Sequence, residues 1–213
     1  MTELTPYQHS YEYIIPDDYE GTVEDFLRKR YNFSGKVITS VVQEGYLTKN
    51  GEFSLFKGQC RPGDRIVISL KGEYPDCEGC DGDIDVIYED EDVLVIDKPP
   101  YMVVHPTKSH FSGTLSNYIY GMWGKRGYVS KVHMVSRLDM NTSGVIVMAK
   151  NKYVHHCLQS WNQANPGNKY YIAITQGCPK EEKGLIDAPI IKLPDGIKRA
   201  IDPAGQESRT EYE

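Results

Sequence analysis

The chain has 213 residues, 39% of them hydrophobic, and a formal net charge of -6, which is enough for one large domain or two modest ones with a real core. The sequence contains neither a basic, apolar leader nor eighteen consecutive apolar residues. We therefore expect no signal peptide and no membrane span, and we interpret the protein as cytoplasmic. Five cysteines without an export signal are expected to be reduced thiols.

The negative charge is concentrated in one part of the chain. Residues 73–98 hold eleven acidic residues and one lysine, whereas residues 99–213 hold fourteen basic and nine acidic residues. The overall charge therefore does not exclude an RNA-binding protein, because most of the chain outside the acidic stretch is neutral or basic.

Residues 11–72 predict a small module in which two short helices are followed by a hairpin. Hydrophobic spacing defines the helices, and turn and capping residues define their ends. The predicted elements are a strand around 13–15, a helix from Val23 with Thr22 as N-cap, a helix from Gly35 to Glu44 with Gly45 in the left-handed conformation, a tight turn at Asn50-Gly51, and a strand at 65–70.

This order of elements resembles the small RNA-binding domain named after ribosomal small-subunit protein four. In that domain the helical pair presents basic side chains to the RNA backbone, contacts that position the protein rather than specify a sequence. The alternative is an ordinary solvated helix face. The resemblance implies phosphate contacts for Arg28, Lys29, Arg30 and Lys36.

Residues 73–82 are rich in Gly, Asp and Pro without periodicity, which predicts an acidic flexible linker. Residues 83–213 then mix strand and helix patterns, which indicates an α+β domain with a mixed, mostly antiparallel sheet and flanking helices. The predicted strands are 85–89, 93–97, 145–150 and 169–175, and the predicted helices are 114–123 and 153–161.

Charged and hydroxyl residues lie immediately before the apolar strand at 145–150. In an extended segment Arg137 and Asp139 share one face while Leu138 turns inward. A guanidinium so close favours the ionised carboxyl. Taken alone, the spacing also fits an ordinary Arg–Asp pair beside a Thr-Ser-Gly turn.

Arg137-Leu138-Asp139 followed by Thr142-Ser143-Gly144 resembles the hallmark motif of the RluA-type RNA pseudouridine synthases. Residues 86–106, which end in Val-His-Pro, resemble the first motif of that family. Lys169-Tyr170-Tyr171-Ile172-Ala173 resembles its Lys-x-Tyr-x-Ala motif, and residues 208–210 resemble the start of the next strand. The resemblance covers nearly the whole chain in the right order.

The resemblance implies the pseudouridine synthase fold and conversion of uridine to pseudouridine in structured RNA, with large-subunit ribosomal RNA as the commonest target and transfer RNA as another. It implies that Asp139 is the catalytic carboxylate, that Arg137 holds the opened RNA and pairs with Asp139, and that Tyr171 packs on the uracil. No cofactor is required, since the leaving base is also the incoming nucleophile. We expect a monomer that binds neither metal nor membrane. The further expected RNA contacts at motif positions are Lys169, Thr142 and Ser143.

The sequence departs from the family pattern at three places. Ser136 stands where a histidine usually precedes the Arg-Leu-Asp triplet, and Tyr101 replaces a customary glycine after Lys-Pro. Family members also continue past the strand at Thr210 to a motif containing Arg-Thr-His-Gln, so the domain is C-terminally incomplete relative to the family.

The sequence also permits three other interpretations. Cys77 and Cys80 with His105 and His110 could be drawn as a zinc site, but the gap from Cys80 to His105 exceeds the roughly 12 to 15 residues of a compact finger. A non-catalytic RNA-binding or ribosome-associated protein would be expected to lack Asp139. A glycoside hydrolase needs a second carboxylate at a fixed distance, and no partner acid stands out in the motifs.

Overall fold

The computed structural model describes residues 6, 8–165, 169–194, 196 and 198–213. The chain divides into two compact units, Met1–Asn168 and Lys169–Glu213. None of the helices in the described part of the chain has the length and apolar character that a membrane span requires.

Strands and helices of the first unit fall into an N-terminal and a C-terminal set. The N-terminal set comprises β1 (His9–Ile14), β2 (Gly21–Thr22), α1 (Val23–Tyr31), α2 (Gly35–Glu44), β3 (Tyr46–Lys49), β4 (Glu52–Phe53), β5 (Gln59–Cys60) and β6 (Arg65–Leu70). The C-terminal set comprises β7 (Asp85–Glu89), β8 (Val93–Lys98), α3 (Leu115–Lys125), β9 (His133–Met134), β10 (Gly144–Ala149) and α4 (Lys152–Ala164).

The N-terminal set is an antiparallel sheet of order β1-β6-β3-β4 covered by α1 and α2. Both helices begin where predicted, because Thr22 Oγ1 accepts a hydrogen bond from the Asp25 amide and Ser34 Oγ from the Val37 amide. The apolar faces of the helices are buried against the sheet, and each fully buried aliphatic or aromatic side chain stabilises the fold by about 1.5–3 kcal/mol. The main buried residues are Phe26, Leu27, Val37, Val41, Ile66 and Ile68.

Two glycines of this module show different uses of a missing side chain. Asn50 and Gly51 have φ of 53° and 86°, and the two-residue hairpin between β3 and β4 is confirmed. The prediction of a left-handed Gly45 is wrong, because its backbone is extended. A Cβ at Gly45 would lie 2.2 Å from the Ser69 carbonyl oxygen, so glycine permits close approach to β6 instead.

The C-terminal set is an antiparallel sheet of order β7-β8-β10-β9. One face of β8 and β10 packs against α3, with Ile96, Ile146 and Trp123 almost fully buried. In the six-residue pairing of β8 with β10, Lys98 lies opposite Gly144. The loop that follows β8 and the loop that precedes β10 therefore leave the sheet at the same end.

Residues 73–82 have no regular secondary structure, and hydrogen bonds attach them to α3. The Asn117 carbonyl accepts from the Cys80 amide at 2.9 Å, and the Asn117 side chain donates to the Glu78 carbonyl at 2.7 Å. The Tyr120 hydroxyl donates to Asp76 at 3.0 Å. The predicted domain boundary at this segment stays a prediction.

The second unit contains β11 (Gly184–Asp187), β12 (Ile190–Lys192), β13 (Arg199–Ile201) and β14 (Arg209–Tyr212), paired antiparallel as β11-β14 and β12-β13. The strand predicted to begin in residues 208–210 is confirmed. The strand predicted at residues 169–175 is wrong, because this segment pairs with no strand of the described residues and Ile172 and Ile174 are fully exposed. β-branched and aromatic residues favour a strand only where a ladder and a packing surface accept them.

Every strand pairing within the described residues is antiparallel. Together with the four helices, this confirms the predicted α+β class.

Candidate active site

Two loops that carry the predicted motifs meet at one end of the second sheet. One follows Lys98 at the end of β8, and the other, residues 135–143, leads into Gly144 at the start of β10. A rigid sheet fixes where such loops begin and end, which makes this edge a natural place for a site.

Lys98 connects the two loops. Its side chain is fully buried, and its Nζ donates to the carbonyl oxygens of Pro99 at 2.9 Å, Met102 at 3.0 Å and Met140 at 3.3 Å. Burial lowers the pKa of Lys98, and the nearby Asp139 carboxylate opposes that shift. One ammonium thus uses its three protons to hold both loops, and its charge is within electrostatic reach of Asp139.

Lys98 is a candidate functional residue that the sequence motifs alone do not identify. The sequence feature that could have identified it is a lysine at the end of an apolar strand, directly before Pro99-Pro100. A lysine is seldom fully buried unless its charge is paired or hydrogen-bonded.

Asp139 is exposed on the second loop. Its backbone carbonyl accepts from the Thr142 amide at 3.1 Å, which closes a turn beneath it. Thr142 is half-buried and Ser143 is exposed, so the carboxylate and the Ser143 hydroxyl are both open to an incoming molecule.

Arg137 is exposed as well, and Leu138 between it and Asp139 is half-buried, as the alternating pattern predicted. The ion pair expected between Arg137 and Asp139 is not formed; none of the ion pairs among the described residues includes either side chain. Two exposed charges gain little free energy from pairing in water. The guanidinium is therefore available to a phosphate.

His105, in the Val-His-Pro motif, is half-buried on the first loop and fixed by α3. Ser116 Oγ donates to the Val104 carbonyl at 3.1 Å and lies 2.8 Å from His105 Nδ1. Both contacts are hydrogen bonds only if Nδ1 carries the proton. Burial lowers the pKa of His105, Asp76 opposes that shift, and Arg137 and Lys131 reinforce it.

Tyr101 has a left-handed backbone with φ of 63°, and its ring is 80% exposed. A left-handed residue explains why glycine is customary at this position, since glycine adopts that conformation without steric cost. Tyrosine here carries a steric penalty that burial of its ring does not offset.

The basic residues predicted to meet RNA lie on α1 and α2. Arg28 pairs with Glu24 at 2.8 Å and Arg30 with Asp18 at 3.1 Å. Lys29 and Lys36 are exposed, and the described residues include no ion pair to either. Two of the four charges are thus partly compensated within the module.

Lys169 and Tyr171 belong to the second unit, where both are exposed, Tyr171 by 65%. They lie on the segment that forms no strand. The structure therefore brings together Arg137, Asp139, Thr142 and Ser143 on one loop. The RNA contacts of Lys169 and Tyr171 stay predictions.

Within the described part of the chain, no three His, Cys, Asp or Glu side chains are arranged to hold a metal ion. Cys77 packs toward the core around α3, and burial raises the pKa of its thiol to about 11.

The family model described as RNA pseudouridylate synthase matches residues 92–213, which include both loops. The chain is 36% identical over 200 residues to an uncharacterized RNA pseudouridine synthase of Aquifex aeolicus, covering 91% of this chain and 63% of that protein. It is 31% identical to one of Synechocystis, covering 100% of this chain and 69% of the relative. It is 30% identical to ribosomal large subunit pseudouridine synthase D of Xanthomonas campestris, covering 93% and 61%.

The chain thus spans about three fifths of the length of most of these curated relatives. The family match includes strands β8, β9 and β10, the Asp139 loop and the Lys98 clamp, by which we mean Lys98 Nζ with the carbonyls of Pro99, Met102 and Met140. This chain belongs to the RNA pseudouridylate synthase family.

Proposed function

We propose that this protein isomerises uridine to pseudouridine in structured RNA, with Asp139 as the catalytic carboxylate. The observation that carries the proposal is an exposed Asp139 on a loop anchored by Lys98, inside the segment that matches the family. The chemistry requires an accessible carboxylate at a fixed position, because misplacement by about 1 Å can cost 100-fold in rate.

The reaction conserves every atom of the substrate. The bond between ribose C1′ and uracil N1 breaks, the uracil turns, C5 bonds to C1′, and the proton lost from C5 is balanced by one gained at N1. Asp139 acts on the ribose or the uracil as the first bond breaks. The displaced base is itself the nucleophile of the second step, so the protein must retain it rather than supply a cofactor.

A uridine within folded RNA hides its sugar–base bond, so it must first be turned out of the stack against a few kcal/mol. Arg137 suits this step because its exposed, planar cation can meet a phosphate and occupy space left by the base. Tyr171 is proposed to pack on the uracil, and Lys169, Thr142 and Ser143 to contact the RNA beside it.

We further propose that residues 11–72 act as an RNA-binding module of the type found in ribosomal small-subunit protein four. Arg28, Lys29, Arg30 and Lys36 would meet backbone phosphates and give affinity without sequence choice. Because Lys29 and Lys36 are not neutralised by ion pairs among the described residues, they are proposed to carry more of the affinity than Arg28 and Arg30.

Large-subunit ribosomal RNA is the proposed substrate, with transfer RNA as the alternative. The support is the printed name of the Xanthomonas relative, a ribosomal large subunit pseudouridine synthase. We propose a monomeric, cytoplasmic enzyme. A non-catalytic RNA-binding protein of the same fold is the competing function, and the exposed Asp139 speaks against it.

The test has two parts. Pseudouridines are mapped in the ribosomal and transfer RNA of cells with and without the gene, and the lost position identifies the target uridine. Purified wild type and Asp139→Asn are then compared on an RNA carrying that uridine. Loss of turnover with unchanged Tm and RNA affinity is expected; retained turnover would refute the role of Asp139.

A further inference from the structure

Tyr101 combines a conformational cost with an exposed aromatic ring. Its φ of 63° places a residue with a Cβ in a region that glycine occupies more easily. Its ring is 80% exposed, so burial of the ring contributes little free energy to offset the backbone strain. Residues whose backbone strain is not offset in this way concentrate at ligand-binding sites.

The Lys98 clamp holds the backbone segment that carries this ring. Lys98 Nζ donates to the carbonyls of Pro99 and Met102, which flank Tyr101, and to the carbonyl of Met140, which follows Asp139. All three oxygens lie within 3.3 Å of one nitrogen. The backbone on both sides of Tyr101 is therefore tied directly to the backbone next to the catalytic carboxylate.

We propose that Tyr101 is a substrate-contacting residue that stacks on an unpaired RNA base adjacent to the target uridine. The inference rests on the proposed function, since it assigns a contact to the same site. Turning one nucleotide out of a stack leaves its neighbours with an uncovered face, and an aromatic ring replaces that lost stacking for any base. Exposed Arg137 on the facing loop supplies the cation for the phosphate next to such a base.

Binding to RNA with defined lesions tests the proposal. The probe is a synthetic stem-loop carrying the mapped uridine, unmodified or with a single abasic site at each neighbouring position. All proteins are prepared in the Asp139→Asn background, so that turnover does not change the RNA. The substitutions at position 101 are Tyr101→Ala, Tyr101→Phe and Tyr101→Gly, and Tyr88→Ala is the matched control, because Tyr88 is also exposed but lies among acidic residues.

Tyr101→Ala is expected to weaken binding of the unmodified RNA about 5- to 150-fold, the range of one base–aromatic stack. Tyr101→Phe should bind within about twofold of the parent, since the hydroxyl takes no part in stacking. An abasic site at one of the neighbouring positions should weaken RNA binding by the parent protein, Asp139→Asn, by a similar factor. The same abasic site should leave binding by Tyr101→Ala unchanged, which identifies the stacked base. The control should match the parent.

Tyr101→Gly separates stacking from loop shape, because glycine removes the strain and the ring together. Binding as weak as that of Tyr101→Ala is expected. Parental binding by Tyr101→Gly or Tyr101→Ala, or the absence of coupling at every abasic position, would overturn the proposal. Because the readout is binding, it stands apart from the question of whether Asp139 catalyses turnover.

Discussion

The two compact units differ in what surrounds their side chains. The first unit buries a continuous apolar core on each of its two four-stranded sheets, with Ile68 and Ile146 both 0% exposed. In the second unit, every described residue from Lys169 to Glu213 is at least partly exposed. Motif residues of the first unit therefore stand on a framework that fixes them, whereas Lys169 and Tyr171 stand on a segment whose conformation packing does not determine.

The largest expected effect comes from the core beneath the loop that carries Asp139. Ile146→Ala on β10 should lower the free energy of unfolding by about 2–5 kcal/mol, because the fully buried side chain would leave a cavity. Ile186→Ala in the second unit, where the side chain is 53% exposed, is the matched control and should change it by less than about 0.5 kcal/mol. Chemical denaturation of both variants measures the contrast; equal losses would contradict it.

Lys98→Met tests the clamp between the two loops. Methionine keeps the length of the side chain but leaves the carbonyls of Pro99, Met102 and Met140 without their donor, a loss of about 1–3 kcal/mol. Turnover should fall about 10- to 100-fold, because Asp139 is no longer held in place. The exposed Lys108→Met serves as control, and a Lys98→Met enzyme with normal kcat would exclude the clamp.

Tyr101→Gly is expected to stabilise the protein, whereas the two preceding substitutions destabilise it. Relief of the left-handed backbone should raise the free energy of unfolding by about 1 kcal/mol, partly reduced by the greater freedom of glycine in the unfolded chain. Thermal denaturation beside Tyr101→Ala, which keeps the strain, measures the difference. A lower Tm for the glycine variant than for the alanine variant would show that the position is not strained.

The last effect concerns the contact of a carboxylate with a histidine and appears only in acid. The Glu73 carboxylate lies 2.8 Å from His133 Nε2, and this contact lowers the pKa of Glu73 to about 2, against the opposing effect of burial. Since the folded pKa is depressed, the stabilisation is present above the unfolded value of about 4.5 and is lost as pH falls toward 2.

Glu73→Gln should therefore reduce the stability lost between about pH 4.5 and pH 2, as measured by denaturation at each pH. The exposed pair of Arg209 and Asp187 in the second unit is the control, and Asp187→Asn should leave the acid dependence nearly unchanged. Identical pH profiles for wild type and Glu73→Gln would contradict the assignment.

Local signals predicted most of the first unit. Helices α1 and α2 begin directly after Thr22 and Ser34, because a capping hydroxyl acts within three residues of its partner amide. Gly45 was misjudged because the reason for its glycine, the Ser69 carbonyl, lies 24 positions away in sequence. The strand at residues 169–175 was misjudged because a strand exists only with its partner.

The sequence by itself determined the helix and strand patterns, the caps, the tight turn at Asn50-Gly51 and the motif that identifies Asp139. Tertiary structure alone decided that Lys98 would be buried and that its ammonium would reach the Met140 carbonyl, 42 positions further along the chain. It also decided that Arg137 would form no ion pair with any described residue. The physical reason is range: capping and turn preferences act between neighbouring residues, whereas the cost of burying an ammonium is offset only by carbonyls that the completed sheet brings together.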